Sequence, residues 1–119
     1  MLSLFLILLF IDSIYLKFIG YPLFSKLIKK ITNEDIQFNY LGLLSYVFII
    51  GGLYYFTHNA KGNKKYIDAF ILGIVIYGTY DFTNIGLFKN YDIQTGIIDT
   101  LWGGILLSLT NLIYYNLLV

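Results

Sequence analysis

The residues of this sequence that could do chemistry inside a membrane are concentrated near the end of its third apolar stretch. Residues 69–87 read AFILGIVIYGTYDFTNIGL, and the polar group within them is Tyr80, Asp81, Thr83 and Asn84. The stretch has no polar face along its length, so it is typical of a helix that crosses a bilayer. A charge on the carboxyl group of Asp81 there costs several kcal/mol unless a partner compensates it. This polar group is therefore the first candidate for a binding or translocation site.

Two more acids lie in other apolar stretches. Asp12 is in the first stretch, and Asp99 lies near the start of the fourth, where it is followed by Trp102. Burial and a neighbouring like charge both favour the protonated form of a carboxyl group. Such a group can exchange protons, bind a hard cation through oxygen, or hold a cationic headgroup. The alternative is that the acids only hydrogen-bond to tyrosines, Asn84 and Trp102, and so fix helix packing.

The composition is that of a membrane protein. Of the 119 residues, 58% are hydrophobic and 13% are charged, whereas soluble domains are about half apolar and about a quarter charged. The absence of cysteine excludes disulfides and thiolate metal sites. All eight basic residues are lysine, which argues against a nucleic-acid surface because bidentate recognition of phosphates and bases uses arginine. The single histidine, His58, has no second ligand at suitable spacing, so no metal site and no cofactor is predicted.

The apolar segments predict an all-α integral membrane protein, a four-helix bundle with several passes through the bilayer. We expect residues 1–119 to form a single membrane domain. The spans are expected at about residues 1–19, 40–57, 66–87 and 96–119.

A short amphipathic helix is predicted at about residues 22–31, after the first span. Gly20 is expected to break the first helix, and Pro22 suits the first turn of the next. Apolar residues and lysines then fall on opposite sides of the segment, which is typical of a helix that lies in the headgroup plane. More lysines flank the first and third connections than the second, and this favours a cytoplasmic position for those two connections.

Connectivity alone places the three acids at one level of the bilayer. Four spans put both termini on one side, here called side A, and the first and third connections on the other, side B. Asp12, Asp81 and Asp99 then all fall in the half of the membrane towards side B. Intramembrane acids nearly always face the bundle interior. We therefore expect one acidic pocket that opens towards side B, with Lys17 as the cation best placed to neutralise it.

Small residues predict close packing of the fourth span. Gly96, Thr100 and Gly104 recur every four residues, and Gly103 lies beside them. One hypothesis is a protein that binds or translocates a proton, a cation or a small or lipid solute, and one chain of this size would then work as a homo-oligomer. The other is a non-catalytic interaction or assembly protein, in which the glycines recruit another membrane protein and the acids only fix helix packing.

An enzyme acting on lipid is a third hypothesis. Two carboxyl groups could serve as a general acid and a general base. The sequence, however, contains no Ser–His pair, no histidine cluster and no HxxxH-like metal spacing. It gives no positive indication of catalysis.

The order of these motifs resembles that of a known family. The residues that carry the likeness are an early acid with an aromatic and an aliphatic residue after it, a YDFTN group and a DTLWG group: Asp12, Tyr15, Leu16, Tyr80, Asp81, Thr83, Asn84, Asp99, Trp102 and Gly103. With them the chain is similar, over nearly its whole length, to the small membrane-protein family catalogued as domain of unknown function 2177. The resemblance implies four spans and supports the choice of residues, and it implies no particular reaction.

Overall fold

All regular structure in the described part of the chain is helical. The computed structural model describes residues 2–33 and 40–118, and it has four helical segments that are long and apolar enough to cross a membrane. The predicted all-α fold with four spans is therefore confirmed. The helices are α1 (Leu2–Tyr15), α2 (Tyr21–Thr32), α3 (Leu44–Thr57), α4 (Lys64–Leu87) and α5 (Ile93–Ile113). A 3₁₀ turn precedes α3, and π-helical turns follow α1 (Leu16–Gly20) and α5 (Tyr114–Leu118).

The expected break at Gly20 is absent, and this prediction was wrong. Gly20 has helical dihedral angles, φ −65° and ψ −50°, and α1 and α2 form one helical run of 31 residues. The reason is the π-helical turn, in which the N–H of Tyr21 donates to the carbonyl of Leu16. This change of register falls where Pro22 enters the first turn of α2, so the missing proline N–H does not end the helix. Glycine is required here for space, because a Cβ at Gly20 would lie 2.9 Å from Cε1 of Tyr15.

Helices α4 and α5 pack at backbone contact. A Cβ on Gly73 of α4 would overlap the backbone of Gly103 in α5, and a Cβ on Gly103 would overlap the ring of Tyr77. A Cβ on Gly104 would lie 2.9 Å from the ring of Phe70. The small-residue seam of the fourth span thus lies against α4 of the same chain.

The apolar core lies in the half of the bundle that contains the chain termini. It is built from leucines, isoleucines and one alanine of α1, α3, α4 and α5: Leu4, Leu8, Ile49, Ile50, Leu53, Ala69, Leu106 and Leu107. A buried amide closes this half, since Nδ2 of Asn111 donates to Oγ1 of Thr57 at 2.9 Å and to the carbonyl of Lys65 at 3.0 Å. The opposite half is left to polar side chains.

We predict that Gly103→Ala lowers the free energy of unfolding by about 1–3 kcal/mol, because overpacking a close contact forces the helices apart. The matched control is Gly51→Ala in α3, where a Cβ would meet nothing within 4 Å. Helix propensity favours alanine equally in the two variants. Reversible unfolding in mixed micelles, followed by circular dichroism, measures the difference. Equal stability of the two variants would contradict the packing described here.

Candidate functional site

Asp81 is buried at the interface between α4 and α5. Its side chain is 0% exposed and lies against Gly96 of α5, where an added Cβ would make an ordinary contact with Cβ of Asp81 at 3.6 Å and a close contact with Cδ1 of Ile85 at 2.9 Å. The two carboxyl oxygens accept hydrogen bonds from different elements. The Tyr91 hydroxyl donates to Oδ1 at 3.2 Å and the Thr100 hydroxyl donates to Oδ2 at 3.2 Å.

Asp99 lies one turn along α5 from Gly96 and meets Asp81 directly. The two carboxyl groups lie close enough to interact directly, and Asp99 is 7% exposed. The Tyr15 hydroxyl of α1 donates to Oδ1 of Asp99 across 3.5 Å. Two carboxyl groups in contact repel strongly if both are ionised in an apolar interior. The pair is stable when it shares a proton or holds a cation.

Asp12 lies about one turn of α1 before Tyr15 and has hydrogen-bond partners of its own. The Tyr46 hydroxyl of α3 donates to its Oδ2, and Nε1 of Trp102 in α5 donates to its Oδ1 at 2.9 Å. Asp12 is 5% exposed, so both of its oxygens are occupied inside the bundle. This side chain ties together three helices.

A stacked aromatic pair connects Asp12 with Asp99. The rings of Tyr15 and Trp102 lie 4.4 Å apart between centroids and within 9° of parallel. Tyr15 donates to Asp99 and Trp102 donates to Asp12. The three acids that were expected in one pocket therefore lie in one network, in which the stack of Trp102 on Tyr15 connects Asp12 with the Asp81–Asp99 pair. In residues 2–33 and 40–118, no three His, Cys, Asp or Glu side chains are grouped so that they could hold a metal ion.

An open groove reaches the acid pair from the flank of the bundle. It has a volume of about 570 Å³ and is lined by residues of α3, of α4 and, at its floor, of α5: Ser45, Phe48, Ile49, Ile76, Tyr77, Tyr80 and Asp99. Phe48 and Tyr80 at its rim are exposed. The groove thus lies between α3 and α4, which both belong to candidate spans.

The remaining predicted site residues occupy different places. Tyr80 is 58% exposed at the groove, and Asn84 is partly buried beside the side chains of Tyr80 and Tyr91. Thr83 is exposed on α4. Lys17 is also exposed, with Nζ 5.4 Å from the ring centroid of Phe18, and it does not neutralise the acids as expected.

Sequence reasoning missed Tyr91 as a site residue. Tyr91 lies in the short connection between α4 and α5 and is buried, yet a lone tyrosine in a loop carries no periodic signal. Burial, and then the nearby Asp81 carboxyl, raise the pKa of Tyr91 above its usual value, so its hydroxyl remains a proton donor. Thr100 was assigned to helix packing alone, and it also donates to Asp81.

One family model, described as a predicted membrane protein (DUF2177), matches residues 1–116. The chain belongs to the DUF2177 family. No curated protein and no solved structure matches it. In this DUF2177 member, the acids of the first, third and fourth spans all lie in the hydrogen-bonded network just described, and Thr83 lies outside it.

We predict that Tyr46→Phe lowers the free energy of unfolding by about 1–3 kcal/mol, because it leaves a buried oxygen of Asp12 without a donor. Tyr40→Phe is the matched control, since it removes the same hydroxyl from a side chain that is 91% exposed. Unfolding in mixed micelles compares the two. If Tyr46→Phe is as stable as Tyr40→Phe, Asp12 is not a structural tie.

Proposed function

We propose that this multi-pass membrane protein binds a small organic cation at the Asp81–Asp99 pair, in exchange for a proton. The observation that supports the proposal is the position of Asp99, which lines the floor of the groove and contacts the fully buried Asp81. An intramembrane acid that faces a cavity is a typical ion or solute site.

Exchange of an ammonium group for the proton leaves the net charge of the site unchanged. When the two carboxyl groups share a proton, the pair carries one negative charge. An ammonium group that enters contributes its own positive charge and N–H donors, and when the shared proton is released to water the site again carries one negative charge. Hydroxyl donors from Tyr15, Tyr91 and Thr100 already surround the carboxyl oxygens. Hydrogen bonds of this kind stabilise the ionised form that remains.

The walls of the groove favour a solute with an apolar body. Phe48, Ile49 and Ile76 supply apolar surface, and the hydroxyl-bearing side chains of Tyr77 and Tyr80 line the same space. Tyr91 covers the pair from the connection between α4 and α5, where its hydroxyl bonds to Asp81. A solute that enters from the bilayer through the flank would place its cationic end at Asp99 and its apolar body between α3 and α4.

Asp12 has a structural role in this proposal. Both of its oxygens accept hydrogen bonds from side chains of other helices, which matches the packing role considered for the acids. The glycine seam lies against α4, so this surface is not the one we propose for recruiting another membrane protein.

We predict that n-octylamine binds the protein in phosphatidylcholine nanodiscs and changes the fluorescence of Trp102, the only tryptophan. Asp99→Asn should weaken binding about tenfold or more, because it removes a charge-assisted hydrogen bond worth about 1.5–3 kcal/mol. Asp68→Asn is the control: Asp68 lies on α4 and pairs with Lys64 at 2.5 Å, away from the groove.

The proton exchange gives a second readout of the same experiment. Affinity for the amine should rise with pH over the range in which the amine stays charged, because binding releases the shared proton. Wild-type affinity in Asp99→Asn would contradict the proposal, and so would affinity that is independent of pH. Retained helix content by circular dichroism shows that the variant is folded.

A further inference from the structure

A second groove lies between α2 and the start of α5, and neither acid of the pair lines it. It has a volume of about 140 Å³ and is lined by two leucines and two lysines of α2, and by the capping residues of α5: Leu23, Lys26, Leu27, Lys30, Asp92 and Thr95. Leu27 is 4% exposed and anchors α2 against the bundle. The groove lies where the spans end, so it is at the level of the lipid headgroups.

The charge of this groove is positive. Lys26 and Lys30 are one helical turn apart, so both side chains lie on the same face of α2, and both are exposed. In the described residues, neither forms a salt bridge. Asp92 is engaged in capping α5: its Oδ1 accepts from the N–H of Gln94 at 3.2 Å and its Oδ2 from the Thr95 hydroxyl at 3.0 Å. The positive dipole end of α5 offsets part of its charge.

We propose that this groove binds the headgroup of an anionic glycerophospholipid of the phosphatidylglycerol type. The phosphate lies between the ammonium groups of Lys26 and Lys30, which form charge-assisted hydrogen bonds with its oxygens. The headgroup hydroxyls donate to the free lone pairs of Asp92. The leucines of the groove contact the glycerol backbone and the upper acyl chains.

The combination of residues selects this occupant over others. Two lysines against one aspartate attract a lipid with a net negative charge and give no net attraction to a zwitterionic one. Leu23 and Leu27 line the same groove as the lysines, and they offer nothing to free phosphate. The site depends on none of the residues of the acid pair, so it stands or falls independently of the proposed amine binding.

Native mass spectrometry of the protein from mixed micelles tests the proposal. Equal amounts of phosphatidylglycerol and phosphatidylcholine of the same acyl chains are offered, with inorganic phosphate as a separate competitor. We expect several-fold more bound phosphatidylglycerol than phosphatidylcholine, and no displacement by phosphate. Equal binding of the two lipids overturns the proposal, as does displacement by phosphate.

Paired variants locate the site. Lys26→Gln/Lys30→Gln should lose phosphatidylglycerol affinity about tenfold or more. Lys61→Gln/Lys64→Gln removes the same charge from the connection between α3 and α4 and should bind as the wild type does. Equal loss in the two double variants overturns the proposal, because attraction would then follow net charge alone. If the first double variant does not fold, Lys26→Gln alone is compared with Lys61→Gln alone in the same way, and equal loss again overturns the proposal.

Discussion

The backbone contact between α4 and α5 is the constraint on which the site depends. Without the two glycines at positions 73 and 103, Cβ atoms would keep these helices apart. In a bilayer no hydrophobic effect draws helices together, so close van der Waals packing must do so. The same approach brings Asp81 of α4 beside Asp99 of α5. The acid pair is a consequence of glycine packing.

The two halves of the bundle differ in the kind of side chain that fills them. The half with the termini is filled by leucine and isoleucine, and it holds α1, α3, α4 and α5 together. The other half contains the polar network, and there the first half of α3 stays away from α4 and leaves the groove open. Both carboxyl oxygens of Asp12 accept hydrogen bonds from side chains of other helices. Asp99, in contrast, also lines the groove. Asp99 can be reached from outside the bundle because packing between α3 and α4 is incomplete there.

Much of this architecture is predictable from sequence, and the reasons are physical. Long apolar stretches give the four spans, and their connectivity places three acids at one level. Small residues at a spacing of four give the seam on α5. The partners of the acids are less predictable: Tyr91 comes from a loop, and Thr100 serves packing and hydrogen bonding together. Which partners Asp12, Asp81 and Asp99 find depends on how far side chains extend from one helix to the next, and a sequence pattern does not show this. The π-helical turn that carries the chain through Gly20 has no sequence signal of its own.

Infrared difference spectroscopy of the protonated carboxyl stretch tests most directly whether Asp81 and Asp99 share a proton. The account predicts a protonated-carboxyl band at neutral pH in the wild type and in Asp12→Asn. It also predicts that Asp81→Asn and Asp99→Asn each shift or remove this band, and that saturation with an amine removes it from the wild type. Absence of the band at neutral pH, or its loss only in Asp12→Asn, would contradict the account.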